Sequence, residues 1–296
     1  MVTAEQLALE AWCRGEQVFL WPDGVPGGAF AAQAVPDGWP QTQIRNTAQP
    51  YVRVFRSASP NGRSLLVIPG GAYTFVSIAN EGVDIARSMT AKGYTVFVLV
   101  HRLPCEGWDY PSKVALQDAR RALALIGEMS AALGTDATQV HVLGFSAGGH
   151  LAASLATRPG DETTDASSLR SMALIYPVIS HEKRIGNALS TQSLLGDDPS
   201  ADMIALHSPA QHVSADTPPG FFVHALDDAD VPSENSLLMV GAMQAAGRPV
   251  DLHLFETGGH GFGLGDPHLP VGHWIELYCA WLDRNDDKPK SARDAR

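Results

Sequence analysis

Basic residues are few and scattered in this chain: 21 Lys and Arg stand against 32 Asp and Glu, a formal net charge of −11. With no Lys/Arg stripe to neutralise phosphates, nucleic acid is excluded as a partner, and an anionic polymer would be repelled as well. Cysteine is rarer still. Cys13, Cys105 and Cys279 are odd in number, far apart and without a Cys-x-x-Cys pair, which argues against a disulfide framework or a zinc site. No apolar run is long enough to span a membrane. The first twenty residues, with Glu5, Glu10, Arg14 and Glu16, lack the basic start and apolar centre of a signal peptide. A cytoplasmic protein with no membrane partner is the expectation. Internal repeats are absent too.

What is present is ordinary globular material, 45% hydrophobic and 18% charged over 296 residues, enough to bury a large core. Apolar strand-like runs at residues 64–68, 94–100, 140–143, 171–175, 221–226 and 250–255 alternate with helical runs at 81–92, 111–133 and 233–246. That alternation predicts an α/β fold, a mostly parallel central sheet with helices on both faces. Residues 1–18 read as an N-terminal extension, 19–283 as one domain and 284–296 as a flexible tail. The stretch 176–219 is long for a connection, rich in proline and polar residues, and is expected to act as a lid or cap.

Gly144-Phe-Ser-Ala-Gly148 joins the run Val140-His-Val-Leu143 to the helix-like His150-Leu-Ala-Ala-Ser-Leu-Ala156. A strand, a turn too tight for side chains two positions either side of a serine, and a helix make a nucleophile elbow, with the hydroxyl of Ser146 projecting beyond the sheet edge. A serine hydroxyl needs a base to attack at neutral pH, and that base needs an acid to orient it, in the chain order Ser, Asp, His. Residues 221–226 lead into Asp227-Asp-Ala-Asp-Val-Pro232, a loop where the acid belongs; Asp227, Asp228 and Asp230 all compete for the role. Residues 250–255 end in Gly258-Gly-His-Gly-Phe-Gly263, whose glycines let the loop fold back and present His260. His253 sits inside a strand, and His268 and His273 lie in or near the last helix, so position favours His260. The strand at 64–68 runs into Pro69-Gly-Gly-Ala-Tyr73. The N–H of Gly71 or Ala72, with that of Ala147, would form an oxyanion hole.

These segments, together with Arg102-Leu-Pro104, Glu106-Gly-Trp108, Leu116-Gln-Asp-Ala119, Tyr176-Pro-Val-Ile-Ser180 and Glu234-Asn-Ser236, resemble α/β-hydrolases of the acetylxylan-esterase-like group. That group borders the feruloyl esterases, the kynurenine formamidase-like enzymes and the dienelactone hydrolase superfamily. The resemblance runs from about Phe19 to Leu282. It implies the α/β-hydrolase fold, with Ser146 as nucleophile, His260 as base and, from the pattern Asp228-Ala-Asp-Val-Pro232, Asp228 as acid. Two positions depart from the family: Ala72 stands where a third glycine is common, and His101 where an aromatic residue is common.

The implied activity is that of a serine esterase removing O-acetyl groups from xylo-oligosaccharides or similar sugars. A feruloyl or other small-ester esterase, an arylformamidase or a peptidase could use the same machinery, and a catalytically silent binding module is the remaining alternative. No metal or organic cofactor is implied. The partner would be a small-molecule or oligosaccharide ester, with Tyr73, Arg102 and Trp108 expected near the leaving group because sugars stack on aromatic faces. A homodimer is compatible with a chain of this size.

Overall fold

The computed structural model describes residues 2–158 and 169–286. Its main strands are β1 (Glu16–Phe19), β3 (Tyr51–Phe55), β4 (Ser64–Ile68), β6 (Thr95–Val100), β7 (Val140–Phe145), β8 (Ser171–Ile175), β9 (Gly220–Ala225) and β10 (Val250–Phe255). These eight form one sheet in the order β1-β3-β6-β4-β7-β8-β9-β10. The pairings β1 with β3 and β3 with β6 are antiparallel, and every pairing from β6 through β10 is parallel. A separate two-stranded ribbon pairs β2 (Gln43–Ile44) with β5 (Val76–Ser77).

The inner strands read as near-continuous apolar runs, interrupted by buried polar residues such as His141 and His224, because both of their faces are covered. Alternate residues of one strand go to opposite sides. Leu66, Phe97, Val142, Leu174 and Phe222 pack with α3 (Pro111–Leu133), α4 (Ser146–Thr157) and α7 (Glu234–Ala245). Leu65, Val67, Val96, Leu143, Ala173 and Phe221 face α2 (Asp84–Thr90) and α8 (Trp274–Asp286) on the other side. The helix ends follow local chemistry: α3 starts with Pro111 in its first turn, where no N–H is needed, and stops at Gly134 in the left-handed conformation, φ 66°.

The chain runs from β4 to β6 on one side and returns to β7 on the other, so the loops leaving the carboxyl ends of β4 and β7 part at a topological switch point. Open parallel sheets form their ligand crevice there. Both the glycine-rich loop at 69–73 and the serine turn at 146 are in that place.

The two ends of the chain differ from expectation. The boundary at residue 19 falls inside β1, and the preceding α1 (Ala4–Cys13), capped by a Thr3/Gln6 box, buries Trp12 against Tyr51 and Phe55. Both are integral to the body; they escape notice in the sequence because α1 is short and mostly exposed. At the other end, residues 284–286 are helical rather than tail, since α8 continues through Asp286 and Arg284 pairs with Asp251 at 2.7 Å. Residues 287–296 lie outside the described residues. The stretch 176–219 contains α5 (Ala188–Leu195), α6 (Ala201–Leu206) and a 3-10 turn (Pro209–His212). Here α5 packs on α3, and the 3-10 turn on α4 and α7. Cys13, Cys105 and Cys279 are free thiols. Among the described residues, no helix is long and apolar enough to cross a membrane.

Candidate active site

Ser146 closes the strand-to-helix turn and is the first residue of α4, with φ at 51°. A non-glycine residue in that region is strained, and the close packing of the junction holds it there. A Cβ on Gly148 would collide with the carbonyl oxygens of Ile68 and Pro69, and one on Gly144 with the carbonyl of Gly148 and the side chain of Ala152. This is why both positions are glycine. The Val178 N–H donates to the Ser146 carbonyl at 3.1 Å, so the chain leaving β8 crosses directly beside the turn.

His260 reaches Ser146 from the loop after β10. Its Nε2 lies 2.8 Å from Ser146 Oγ and its Nδ1 2.7 Å from Asp228 Oδ2. Asp228 Oδ1 accepts the N–H groups of Asp230 and Val231 at 3.0 and 2.9 Å, and His224 Nε2 approaches Oδ2 at 3.3 Å. Burial alone would raise the Asp228 pKa, but the hydrogen bonds from His224, His260 and Val231 outweigh it and bring the carboxyl down to about 2. An ionised carboxylate only accepts, so His260 Nδ1 carries the proton and Nε2 is left to accept from the serine hydroxyl.

Of the three competing aspartates, only Asp228 points at the imidazole. Asp227 is exposed and accepts the Gly259 N–H at 2.8 Å, fixing the base loop from outside, while Asp230 is exposed and contributes its carbonyl to Asn187. Gly259 and Gly261 have φ of 64° and 71°, the left-handed turn that lets the loop double back over the sheet edge. Asn80 Nδ2 donates to the Gly261 carbonyl at 2.9 Å and steadies the far side of the loop.

Gly71, Ala72 and Tyr73 have φ of 135°, 51° and 59°, an unusual left-handed series made by the loop that leaves β4. Thr74 and Phe75 both donate to the Gly71 carbonyl, which closes the loop into a tight turn. Ala147, second residue of α4, has one of the first-turn N–H groups for which a helix offers no acceptor. Beneath lies Glu81, 4% exposed, in a π-helical turn (Ala79–Val83) that leads into α2. Its Oε2 accepts the Gly70 N–H at 2.6 Å and its Oε1 the Tyr176 hydroxyl at 2.8 Å. In the sequence Glu81 carries no signal, and Tyr176 stands out only as the first residue of the Tyr176-Pro-Val-Ile-Ser180 segment, with no role attached. Glu81 looks there like the polar first residue of a surface helix, and the three backbone segments that meet at it are far apart in the chain.

The three residues expected at the leaving group are buried, and the expectation is corrected. Arg102 is fully enclosed: its Nε and Nη2 donate to the Asp118 carboxylate at 3.0 and 2.8 Å, and its Nη1 donates to the Pro26 carbonyl. Trp108 covers the guanidinium at 4.9 Å and is 5% exposed. Tyr73 is 2% exposed and its hydroxyl bonds His150 Nδ1 at 2.7 Å. These side chains hold the framework together, because every polar group they carry inward, apart from the Trp108 indole N–H, is given a protein partner. His101 is buried likewise, with its ring against Tyr73 at 6.0 Å. Among the described residues, no group of three or more His, Cys, Asp or Glu side chains is arranged to hold a metal ion.

The BD-FAE family model matches residues 56–243. The chain is 30% identical to an acetylxylan esterase of Xylanibacter ruminicola over 233 residues, 75% of this chain and 47% of that protein. It spans about half the length of the curated relatives it matches. Among solved structures, an acetyl ester-xyloside bifunctional hydrolase from Caldicellulosiruptor lactoaceticus superposes with a TM-score of 0.73 at 32% identity, covering 88% of this chain and 97% of that one. MGS-M1, an α/β-hydrolase from a Medee basin deep-sea metagenome, superposes at 0.61 with 27% identity over 88% of this chain and 99% of its own. With its family model covering more than half of its length and its eight-stranded, mostly parallel sheet, the chain belongs to the BD-FAE family and carries an α/β-hydrolase domain.

Proposed function

We propose that the protein is a serine esterase that removes O-acetyl groups from xylo-oligosaccharides or similar small sugars. The observation that carries the reading is the unbroken relay from Ser146 Oγ through His260 to Asp228, with contacts of 2.8 and 2.7 Å. Similarity to an acetylxylan esterase and to an acetyl ester-xyloside hydrolase supports the choice of acyl group and sugar.

The reaction is two-step acyl transfer. His260 Nε2 takes the proton of Ser146 Oγ as the oxygen attacks the acetyl carbonyl, and Asp228 stabilises the imidazolium without taking its proton. The tetrahedral oxyanion is held by the N–H of Ala147 and that of Gly71 or Ala72, donors fixed in place before the charge develops. His260 then gives its proton to the leaving sugar hydroxyl, and water, activated by the same base, discharges the acetyl-enzyme. The net charge of −11 suits a neutral substrate.

Acetate release from acetylated xylo-oligosaccharides, measured beside p-nitrophenyl acetate, p-nitrophenyl octanoate, methyl ferulate and N-formylkynurenine, tests the proposal. The acetylated sugars should exceed methyl ferulate and the octanoate by roughly 100-fold or more in kcat/KM, and Ser146→Ala should abolish turnover. Hydrolysis of the ferulate or the formamide at a higher kcat/KM would overturn the acetyl-sugar assignment. Turnover by Ser146→Ala near the wild-type rate would remove the serine from the reaction.

A further inference from the structure

The base of the site contains a buried carboxyl for which acyl transfer has no use. Glu81 accepts the Gly70 N–H on one oxygen and the Tyr176 hydroxyl on the other. The same Tyr176 hydroxyl accepts the Gly263 N–H at 3.0 Å, so its own proton is committed to Glu81. One side chain therefore ties together the loop leaving β4, the chain leaving β8 and the loop after β10. Those segments carry the oxyanion donors, the strand end beside the serine turn and the base.

The details of each contact are directional. Gly70 lies between Glu81 and the serine: a Cβ there would sit 2.8 Å from Ser146 Cβ and 3.1 Å from Glu81 Oε2. Gly70 immediately precedes the three left-handed residues Gly71, Ala72 and Tyr73, so an anchored Gly70 N–H sets where their own N–H groups point. Tyr176 is itself held at a φ of 39°, and its ring meets His260 edge to face at 4.9 Å and Phe262 at 4.4 Å. The neighbouring Asn80, in the same π-helical turn, donates to the Gly261 carbonyl. Single π-helical turns of this kind are frequent at functional sites.

We propose that Glu81 is a positioning residue that locks the oxyanion loop and the base loop to one another, acting through Gly70 and Tyr176. The inference rests on the reading of Ser146, His260 and Asp228 given above. The network offers Glu81 two donors and asks for none in return, which is the pattern an ionised carboxylate fills. Burial raises its pKa, while the Gly70 and Tyr176 hydrogen bonds and the nearness of His260 oppose that rise. A glutamine has the same shape but brings an N–H₂ group against either the Gly70 N–H or the Tyr176 hydroxyl. One of the two loops must then be released.

The experiment compares Glu81→Gln, Tyr176→Phe, their combination and Ser146→Ala in the full chain. The readouts are kcat and KM on p-nitrophenyl acetate, thermal midpoint, and inhibition by phenylboronic acid, which forms a tetrahedral adduct on an activated serine. Each of the two single variants should lose about 30- to 100-fold in kcat with KM changed by less than about threefold, and boronic acid affinity should fall with kcat. The double variant should lose little more than the worse single, because both break one chain of contacts. A merely structural carboxyl would lower the thermal midpoint and leave the boronic acid affinity of the folded enzyme unchanged. The proposal is overturned by that result, or by a folded Tyr176→Phe with wild-type kcat, which decides the matter should Glu81→Gln fail to fold. Turnover surviving in Ser146→Ala would instead overturn the nucleophile assignment, so the two failures are distinguishable.

Discussion

Replacing Asp228 by asparagine removes one charge and almost no volume, and the contacts around it determine what must follow. Asp228 Oδ1 accepts two backbone N–H groups, from Asp230 and Val231, while Oδ2 faces His260 Nδ1 and His224 Nε2. An asparagine can keep its oxygen on the backbone pair, in which case its N–H₂ faces the Nδ1–H of His260. The imidazole must then move its proton to Nε2, and nothing is left to accept from Ser146. Alternatively the amide flips, preserving the imidazole but leaving the buried Val231 N–H and the part-buried Asp230 N–H without an acceptor, at about 1–3 kcal/mol each. The competent arrangement is thereby held to a fraction on the order of 10⁻² to 10⁻⁴, in keeping with the ~10⁴-fold loss expected when a base is kept in the wrong tautomer. On p-nitrophenyl acetate the turnover number should therefore fall by roughly two to four orders of magnitude, with KM little changed. Asp227→Asn keeps an oxygen for Gly259 and Asp230→Asn touches neither partner, so both should stay within about tenfold. Near-normal turnover in Asp228→Asn, or a larger loss in either neighbour, would refute the reasoning.

Two further outcomes follow from buried charge. Arg102→Met leaves the Asp118 carboxylate buried without its counterion and should destabilise the fold by about 3–5 kcal/mol, whereas Arg102→Met/Asp118→Leu should recover much of that; a denaturant titration reads both, and a raised KM with unchanged stability would return Arg102 to the substrate. Burial pushes His141 down to about 3, and His150 and His207 down to about 4, all well below the ordinary value. Between about pH 6.5 and pH 4 the unfolded chain takes up protons that the folded chain refuses, so stability falls as the pH falls through that window. The thermal midpoint should drop steadily from about pH 7 to about pH 4.5, and a flat profile would mean these imidazoles are not held neutral.

What can be read from the sequence is whatever local pattern determines. The strand-like runs at 64–68, 171–175 and 250–255 coincide with β4, β8 and β10, and Pro111 and Leu133 bound α3 as expected. The Gly-x-Ser-x-Gly turn is legible because the crowding that demands glycine at 144 and 148 arises within a few residues and one neighbouring strand. Arg102 and Trp108 mislead for the opposite reason. An arginine beside a tryptophan looks available until Asp118, sixteen residues along and on a helix, takes up the guanidinium. Among Asp227, Asp228 and Asp230 spacing alone cannot choose, because the choice depends on which carboxylate the Val231 N–H turns inward. Glu81 is invisible because its meaning lies wholly in the tertiary meeting of Gly70, Tyr176 and Gly263.

The left-handed residues Ala72, Tyr73, Ser146 and Tyr176 come from three separate loops, after β4, β7 and β8. Each carries on the order of 1–3 kcal/mol of conformational strain that only the surrounding packing can enforce. That packing exists once β4, β7 and β8 lie side by side, a juxtaposition of strands distant in the chain. The geometry of the crevice therefore depends on the sheet beneath it, and its loops are expected to open before those strands do. Amide exchange at Gly70, Gly71, Ala72, Tyr73, Tyr176 and Val178 should run ahead of exchange in the strands those loops leave, and hydrolysis should be lost to heat before the sheet melts.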